Sequence, residues 1–305
     1  LLVFLVLLLF GRLFLWLLAR AARLLDRVVP PKIANAAGFV LTVIFFITLL
    51  NGVLLQGALR MIDVSSRAAD AMIAPDLDPP EAPGRTGGAA SRVEWDDLGR
   101  WGRSFVATAP TAAEIGAFWE GPAMDPVRVY VGLTAARSAQ ARARLAFEEL
   151  KRAGGFEREI LVIAVPTGSG WLDPGSHDTL EYMHRGDVAT VAVQYSYLSS
   201  WISLMVDPTY GLAEAQALFD LVYDHWASLP AETRPRLYLH GLSLGAMLSQ
   251  ETVPLLDVLG DPIDGAMWAG SPFLSEFWRF VVADRVPGSP AWRPRFGNGS
   301  LIRSM

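Results

Sequence analysis

The sequence predicts an α/β domain with a mostly parallel sheet, preceded by an apolar helical region. Three observations carry this. From Val127 onward, short apolar runs alternate with helix-like stretches. Such runs, bounded by glycine and proline, read as strands buried on both faces, and their alternation with helices calls for parallel pairing. The run Arg236-Leu237-Tyr238-Leu239-His240 empties into Gly241-Leu242-Ser243-Leu244-Gly245, a Gly-x-Ser-x-Gly pattern between a strand and residues of good helix propensity. The apolar excess of the chain is concentrated near its start.

Taken in order, residues 1–18 are apolar apart from Gly11 and Arg12, and residues 38–59 carry no charge. About 20 apolar residues cross a hydrocarbon core of ~30 Å, so both runs read as transmembrane helices. The connector holds Arg20, Arg23, Arg27 and Lys32 against Asp26, which places it in the cytoplasm and everything after Leu59 outside. The sequence thus divides into a membrane region at 1–62, a Pro-, Gly- and Asp-rich linker at 63–92 and a catalytic domain at 93–305. Residues 93–118 form a lead-in carrying Trp95, Leu98, Trp101, Phe105, Ile115 and Phe118, with Asp96, Asp97, Arg100 and Arg103 as a solvated or salt-bridged face. Strands follow at 127–133, 159–165, 187–194, 236–240 and 265–269. Helices are expected at 138–152, 172–185 and 212–226, and after Ser243.

The 305 residues leave room for such a region plus one large domain. The net charge of -5 gives no electrostatic case for nucleic acid binding. The chain has no cysteine, which excludes disulfides, thiolate metal sites and a cysteine nucleophile. The loop Pro166-Thr167-Gly168-Ser169-Gly170-Trp171 lacks the phosphate-binding spacings Gly-x-x-x-x-Gly-Lys and Gly-x-Gly-x-x-Gly, so no nucleotide cofactor is expected, and no metal.

A serine between two glycines at this spacing suits a nucleophile. It must sit on a strained strand-to-helix turn, exposed, with a helix N-terminus behind it that favours developing negative charge. With its flanking segments the pattern resembles the nucleophile elbow of the α/β-hydrolase family. The resemblance extends over the chain through the two apolar runs, Trp95-Asp96-Asp97-Leu98-Gly99-Arg100, Arg128-Val129-Tyr130-Val131-Gly132-Leu133, the loop at 166–171 and the elbow. It points to a membrane-bound bacterial branch of that family. It implies Ser243 as nucleophile, Gly241 and Gly245 as elbow glycines, and an oxyanion hole built from Leu244 N–H and an N–H at Thr167–Gly168.

The family order is nucleophile, acid, histidine, yet His177, His184, His225 and His240 all precede Ser243. Asp257, Asp261 and Asp264 lie before the last strand, and no clear strand leads into Asp284. The chain therefore reads as incomplete, with its acid and base beyond residue 305, and the start at Leu1 reads the same way. The expected activity is hydrolysis of carboxylic esters or thioesters, small or lipid-like, at a membrane. The alternatives are an acyltransferase on the same machinery and a catalytically inactive binding domain.

Overall fold

The computed structural model describes residues 2–25, 30–48, 56–72, 76–207, 209, 211–253 and 260–305. The chain forms two compact units, 1–65 and 66–305. In the first, helices α1 (Leu2–Leu25) and α2 (Pro31–Thr48) pack together, with the Phe14 ring edge-on to Phe39 and Phe46 at 6.3 and 5.3 Å.

Among the described residues, no helix is long and apolar enough to cross a membrane. This corrects the transmembrane reading of 1–18 and 38–59, and with it the extracytoplasmic placement of the domain. Helix α1 carries Arg12 near its middle and Arg20 and Arg23 toward its end. Helix α2 is described over 18 residues, Pro31–Thr48, about 27 Å of helix against a ~30 Å core. Residues 49–55 of the second run lie outside the described residues. Residues 56–59 open α3 (Gln56–Ala71), which carries Arg60, Asp63, Arg67 and Asp70 and has one polar face.

The second unit is built on five parallel strands in the order β1 (Val127–Val131), β3 (Val188–Val193), β2 (Ile160–Val165), β4 (Arg236–Leu242) and β5 (Gly265–Ala269). The expected pairing of the second and fourth strands at the centre is present, from Ile160 opposite Arg236 to Val165 opposite Gly241. β1, β2 and β3 are buried along their whole length, which explains their unbroken Val/Ile/Ala runs.

Connections fix the layers. Right-handed crossovers that step one way along the sheet put their helices on one face, and the single step back puts its helix on the other. So α6 (Ala139–Arg152), α9 (Leu212–Ser228) and α10 (Leu244–Glu251) share a face, while α7 (Pro174–Met183), between β2 and β3, lies opposite. Contacts agree: α6 and α9 pack on each other, and α10 on α9, β4 and β2. Helix α4 (Gly99–Ala107) joins α7 on its face through Phe105, whose ring lies 6.3 Å from Tyr130 and 5.3 Å from His177. Helices α5 (Ala112–Trp119), α8 (Ser200–Val206) and α11 (Glu276–Ala283) complete the described α-helices.

Part of the stretch read as a linker belongs to this unit. Thr86 N–H donates to Arg128 O at 3.1 Å and Arg128 N–H to Gly84 O at 3.1 Å, so residues 84–86 lie along β1 and cover an edge that would otherwise be open. In the expected charged face at 96–103, Asp96 and Arg100 are exposed and Asp97 is half-buried, and Arg103 alone of the four turns inward. Arg103 is buried and donates to the carbonyls of Asp70 and Met72 at 2.9 and 2.8 Å, tying the end of α3 to α4.

Candidate active site

The carboxyl end of β4 runs into Ser243, and α10 begins at the next residue. Ser243 has φ 57° and ψ −126°. Positive φ in a non-glycine residue is uncommon, and this ψ lies outside the left-handed helical well that Glu120 occupies at φ 49°, ψ 40°. Holding a side chain there costs of order 1–3 kcal/mol, and such strain persists only where the surroundings impose it. Here the surroundings are identifiable. Ser243 N–H is tied to Ala269 O on β5 at 2.9 Å, while Ser243 O accepts from Ala246 N–H at 3.0 Å in the first turn of α10.

The two glycines of the pattern are required by space. A Cβ on Gly241 would stand 2.6 Å from the Ala246 Cα, and one on Gly245 would stand 2.2 and 2.3 Å from the carbonyl oxygens of Val165 and Pro166. The first contact lets the helix fold back over the strand. The second presses α10 against the end of β2, where the loop 166–171 begins. Leu244 is fully buried beneath the elbow with Val165, Tyr195, Met247 and Leu248, while Ser243 itself is half-buried.

The loop 166–171 is braced from behind by residues that the sequence did not single out. Tyr195 Oη donates to Pro166 O at 3.2 Å, Gln194 Nε2 to Ser169 O at 3.3 Å and Tyr130 Oη to Gly170 O at 2.8 Å. All three side chains are buried. Thr167 N–H bonds Trp171 O at 3.0 Å inside the loop, and Gly168 N–H bonds Ser200 Oγ at 3.0 Å.

The histidines separate into two groups. His184 faces Glu159 at 3.4 Å, and His225 stacks edge-on against Phe156 at 4.5 Å. Glu159 and Phe156 precede β2, so both histidines belong to the amino end of the sheet, away from Ser243. His177 and His240 are buried against each other on the α7 face, with ring centroids 4.8 Å apart. Both ring nitrogens of His240 and Nε2 of His177 are without a hydrogen-bond partner. His240 therefore makes no hydrogen bond to the Ser243 hydroxyl. Burial holds both histidines below the usual imidazole range. The neighbouring His240 and Arg128 charges push His177 further down, whereas Asp173 opposes the shift at His240.

Beside this pair Arg128, which projects from β1, is almost completely buried. Its Nε and Nη2 reach the two oxygens of Glu181, both at 2.7 Å, with Asp178 at 2.5 Å and the Phe105 carbonyl at 2.7 Å. Burial presses the guanidinium down, but the Glu181 and Asp178 carboxylates outweigh it, and it stays charged.

The acidic candidates do not face Ser243. Asp264 Oδ2 accepts the Leu237 N–H at 2.7 Å at the start of β4, and Asp261 pairs with Arg234 at 2.7 Å. Both lie at the opposite end of the strand from the elbow. Asp284 follows α11 and is exposed. Asp257 lies outside the described residues. Among the described residues, no cluster of three or more His, Cys, Asp or Glu side chains is placed to hold a metal.

Residues 127–305 match the alpha/beta-hydrolase family, and residues 1–110 match the alpha/beta-hydrolase family N-terminus. The chain belongs to the α/β-hydrolase family. No curated protein and no solved structure matches it. The parallel five-stranded sheet fits the fold of that family.

Proposed function

We propose that this α/β-hydrolase domain is a serine hydrolase acting on carboxylic esters or thioesters, with Ser243 as its covalent nucleophile. The single observation that carries the reading is the Ser243 backbone at φ 57°, ψ −126° on the β4–α10 turn. The elbow presents a hydroxyl above the carboxyl end of the sheet and keeps the following N–H groups at its foot. In this reading Ser243 Oγ attacks the acyl carbon, a general base takes its proton, and the carbonyl oxygen becomes an oxyanion. Leu244 N–H, first in α10, is one donor to that oxygen, helped by the partial positive charge of the helix end. Gly168 N–H is the second. Thr167 serves the loop differently, since its N–H and its hydroxyl are both used to close the turn onto Trp171.

The test is covalent labelling of the full-length protein with a fluorophosphonate probe, with the adduct located by peptide mass mapping. Labelling at Ser243 that disappears in Ser243→Ala is the expected result. An adduct that survives in Ser243→Ala, or a folded full-length protein that takes no label, refutes the assignment.

A further inference from the structure

All six residues of the loop 166–171 take part in polar contacts, and these contacts fall into three kinds. The carbonyls of Pro166, Ser169 and Gly170 are held by the buried side chains Tyr195, Gln194 and Tyr130, which belong to the sheet and the segment leaving it. The N–H groups of Thr167, Gly170 and Trp171 are satisfied within the loop. Gly168 N–H alone is taken by another segment. It donates to Ser200 Oγ, the first residue of α8, at 3.0 Å. That is the separation, roughly 2.7–3.1 Å, at which an oxyanion donor holds its oxygen.

The approach of α8 is close as well as polar. A Cβ on Gly168 would stand 2.8 Å from the Ser200 Cα and from the Leu198 carbonyl oxygen. Helix α8 rests on the elbow through a narrow contact. Ser203 is buried and Leu204 packs against the cluster that contains Val165, Leu244 and Leu248, whereas Trp201 and Met205 are 65% and 78% exposed. A seven-residue helix held by one buried turn is a weakly anchored element.

We propose that α8 is a latch on the oxyanion loop. The Ser200 hydroxyl oxygen stands in for the substrate oxygen at Gly168 N–H in the resting protein, and the acyl carbonyl must displace it to bind productively. The proposal rests on the reading of Ser243 as nucleophile and of Gly168 as oxyanion donor. No group is lost or gained in the exchange. One acceptor replaces another on the same N–H, and Ser200 passes to water. A neutral hydrogen bond of this kind contributes about 2- to 12-fold to an equilibrium, which is small enough for a bound ester to overcome. Ser200 is thus a positioning residue that closes the site and takes no part in the chemistry.

Removing the hydroxyl should make the donor available at once. In full-length protein, Ser200→Ala should raise the second-order rate of Ser243 labelling by a fluorophosphonate, and kcat/KM for a short p-nitrophenyl ester, by about 2- to 12-fold. A brace that merely shaped the loop would give a loss instead. A rate equal to or below wild type, with Ser243 still labelled, overturns the latch. Absence of label in the wild type refutes the nucleophile assignment itself, so the two failures are distinguishable. Should Ser200→Ala not fold, hydrogen exchange on the wild type decides. After phosphonylation of Ser243, residues 199–206 should exchange faster, and unchanged protection overturns the proposal.

Discussion

Arg128 offers the sharpest test of what holds the α7 face together. Its guanidinium is 1% exposed and Glu181 0%, so neither charge has water to fall back on. The pair is bidentate, and two further donors are used on Asp178 and the last-turn carbonyl of Phe105. Arg128→Met keeps much of the aliphatic stem and removes four charge-assisted bonds at once. It leaves Glu181 buried without its counter-ion, which in comparable sites costs about 3–5 kcal/mol. For a unit of this size each kcal/mol moves the thermal midpoint by about 2–4 °C, so a loss of roughly 6–20 °C is expected. The assay is urea and thermal denaturation followed by far-UV circular dichroism, with the double variant Arg128→Met, Glu181→Met beside the single one. Most of the loss should be recovered in the double variant, because an apolar pair of similar volume often replaces a buried ion pair with little change. What remains is the unpaired Phe105 carbonyl, at about 1–3 kcal/mol. A single variant within about 1 kcal/mol of wild type, or a double variant less stable than the single, would refute the argument that desolvated charge dominates here.

Two further outcomes follow from the geometry. Gly245→Ala should push α10 off the end of β2, because its Cβ would stand 2.2 Å from the Val165 oxygen. The expected cost is about 1–3 kcal/mol in urea unfolding, with labelling of Ser243 down by about 100-fold through a displacement near 1 Å. Stability should also fall on mild acidification, since burial depresses both His177 and His240. Below an unfolded-state value near 6.5 the unfolded chain takes up protons that the folded pair refuses, so stability is present above that pH and is lost as pH falls through it. A histidine that stays neutral in the fold contributes at most about 1.4 kcal/mol of loss between pH 7.5 and 5.5, and His177, the more strongly depressed of the two, contributes the larger share. Urea midpoints at pH 7.5 and 5.5, compared between wild type and His177→Phe, should show a smaller drop in the variant, and equal drops would exclude the pair as the cause.

What the sequence exposed and what it hid follow from the range of the interactions involved. The strands were legible nearly to their ends, 159–165 against Ile160–Val165 and 265–269 against Gly265–Ala269. A parallel strand buried on both faces must be an unbroken apolar run, and that demand is local. The elbow was legible for the same reason: Ser243, Gly241 and Gly245 answer to a constraint only five residues wide. The supports of the site were not. Arg128 stands within an expected strand, and its partners Asp178 and Glu181 stand 50 and 53 residues further on. His177 and His240 meet on one face of the sheet, one from α7 and the other from β4, and nothing in either neighbourhood announces the other. Gln194 ends one expected strand and Tyr130 stands in the middle of another, and neither position announces that its side chain aims the loop.

The two regions where composition misled share one cause. Pro- and Gly-rich sequence gives up regular structure, but it does not say whether the backbone is then solvated or packed. At 84–86 the chain uses that freedom to lie against β1, and Thr86 is fully buried. Apolar sequence near the start likewise says that surface must be covered, without saying by what. In α1 and α2 a share of that cover comes from the other helix, through Phe14 against Phe39 and Phe46. Hydropathy measures the demand for burial, and the length and continuity of each helix decide which kind of burial can meet it. Helix α8 is the converse case. Ser200-Trp201-Ile202-Ser203-Leu204-Met205-Val206 is too short and too mixed to register as periodic. Its position over the elbow, set by one buried turn at Ser203 and Leu204, is what brings a serine hydroxyl onto the N–H that the proposed chemistry requires.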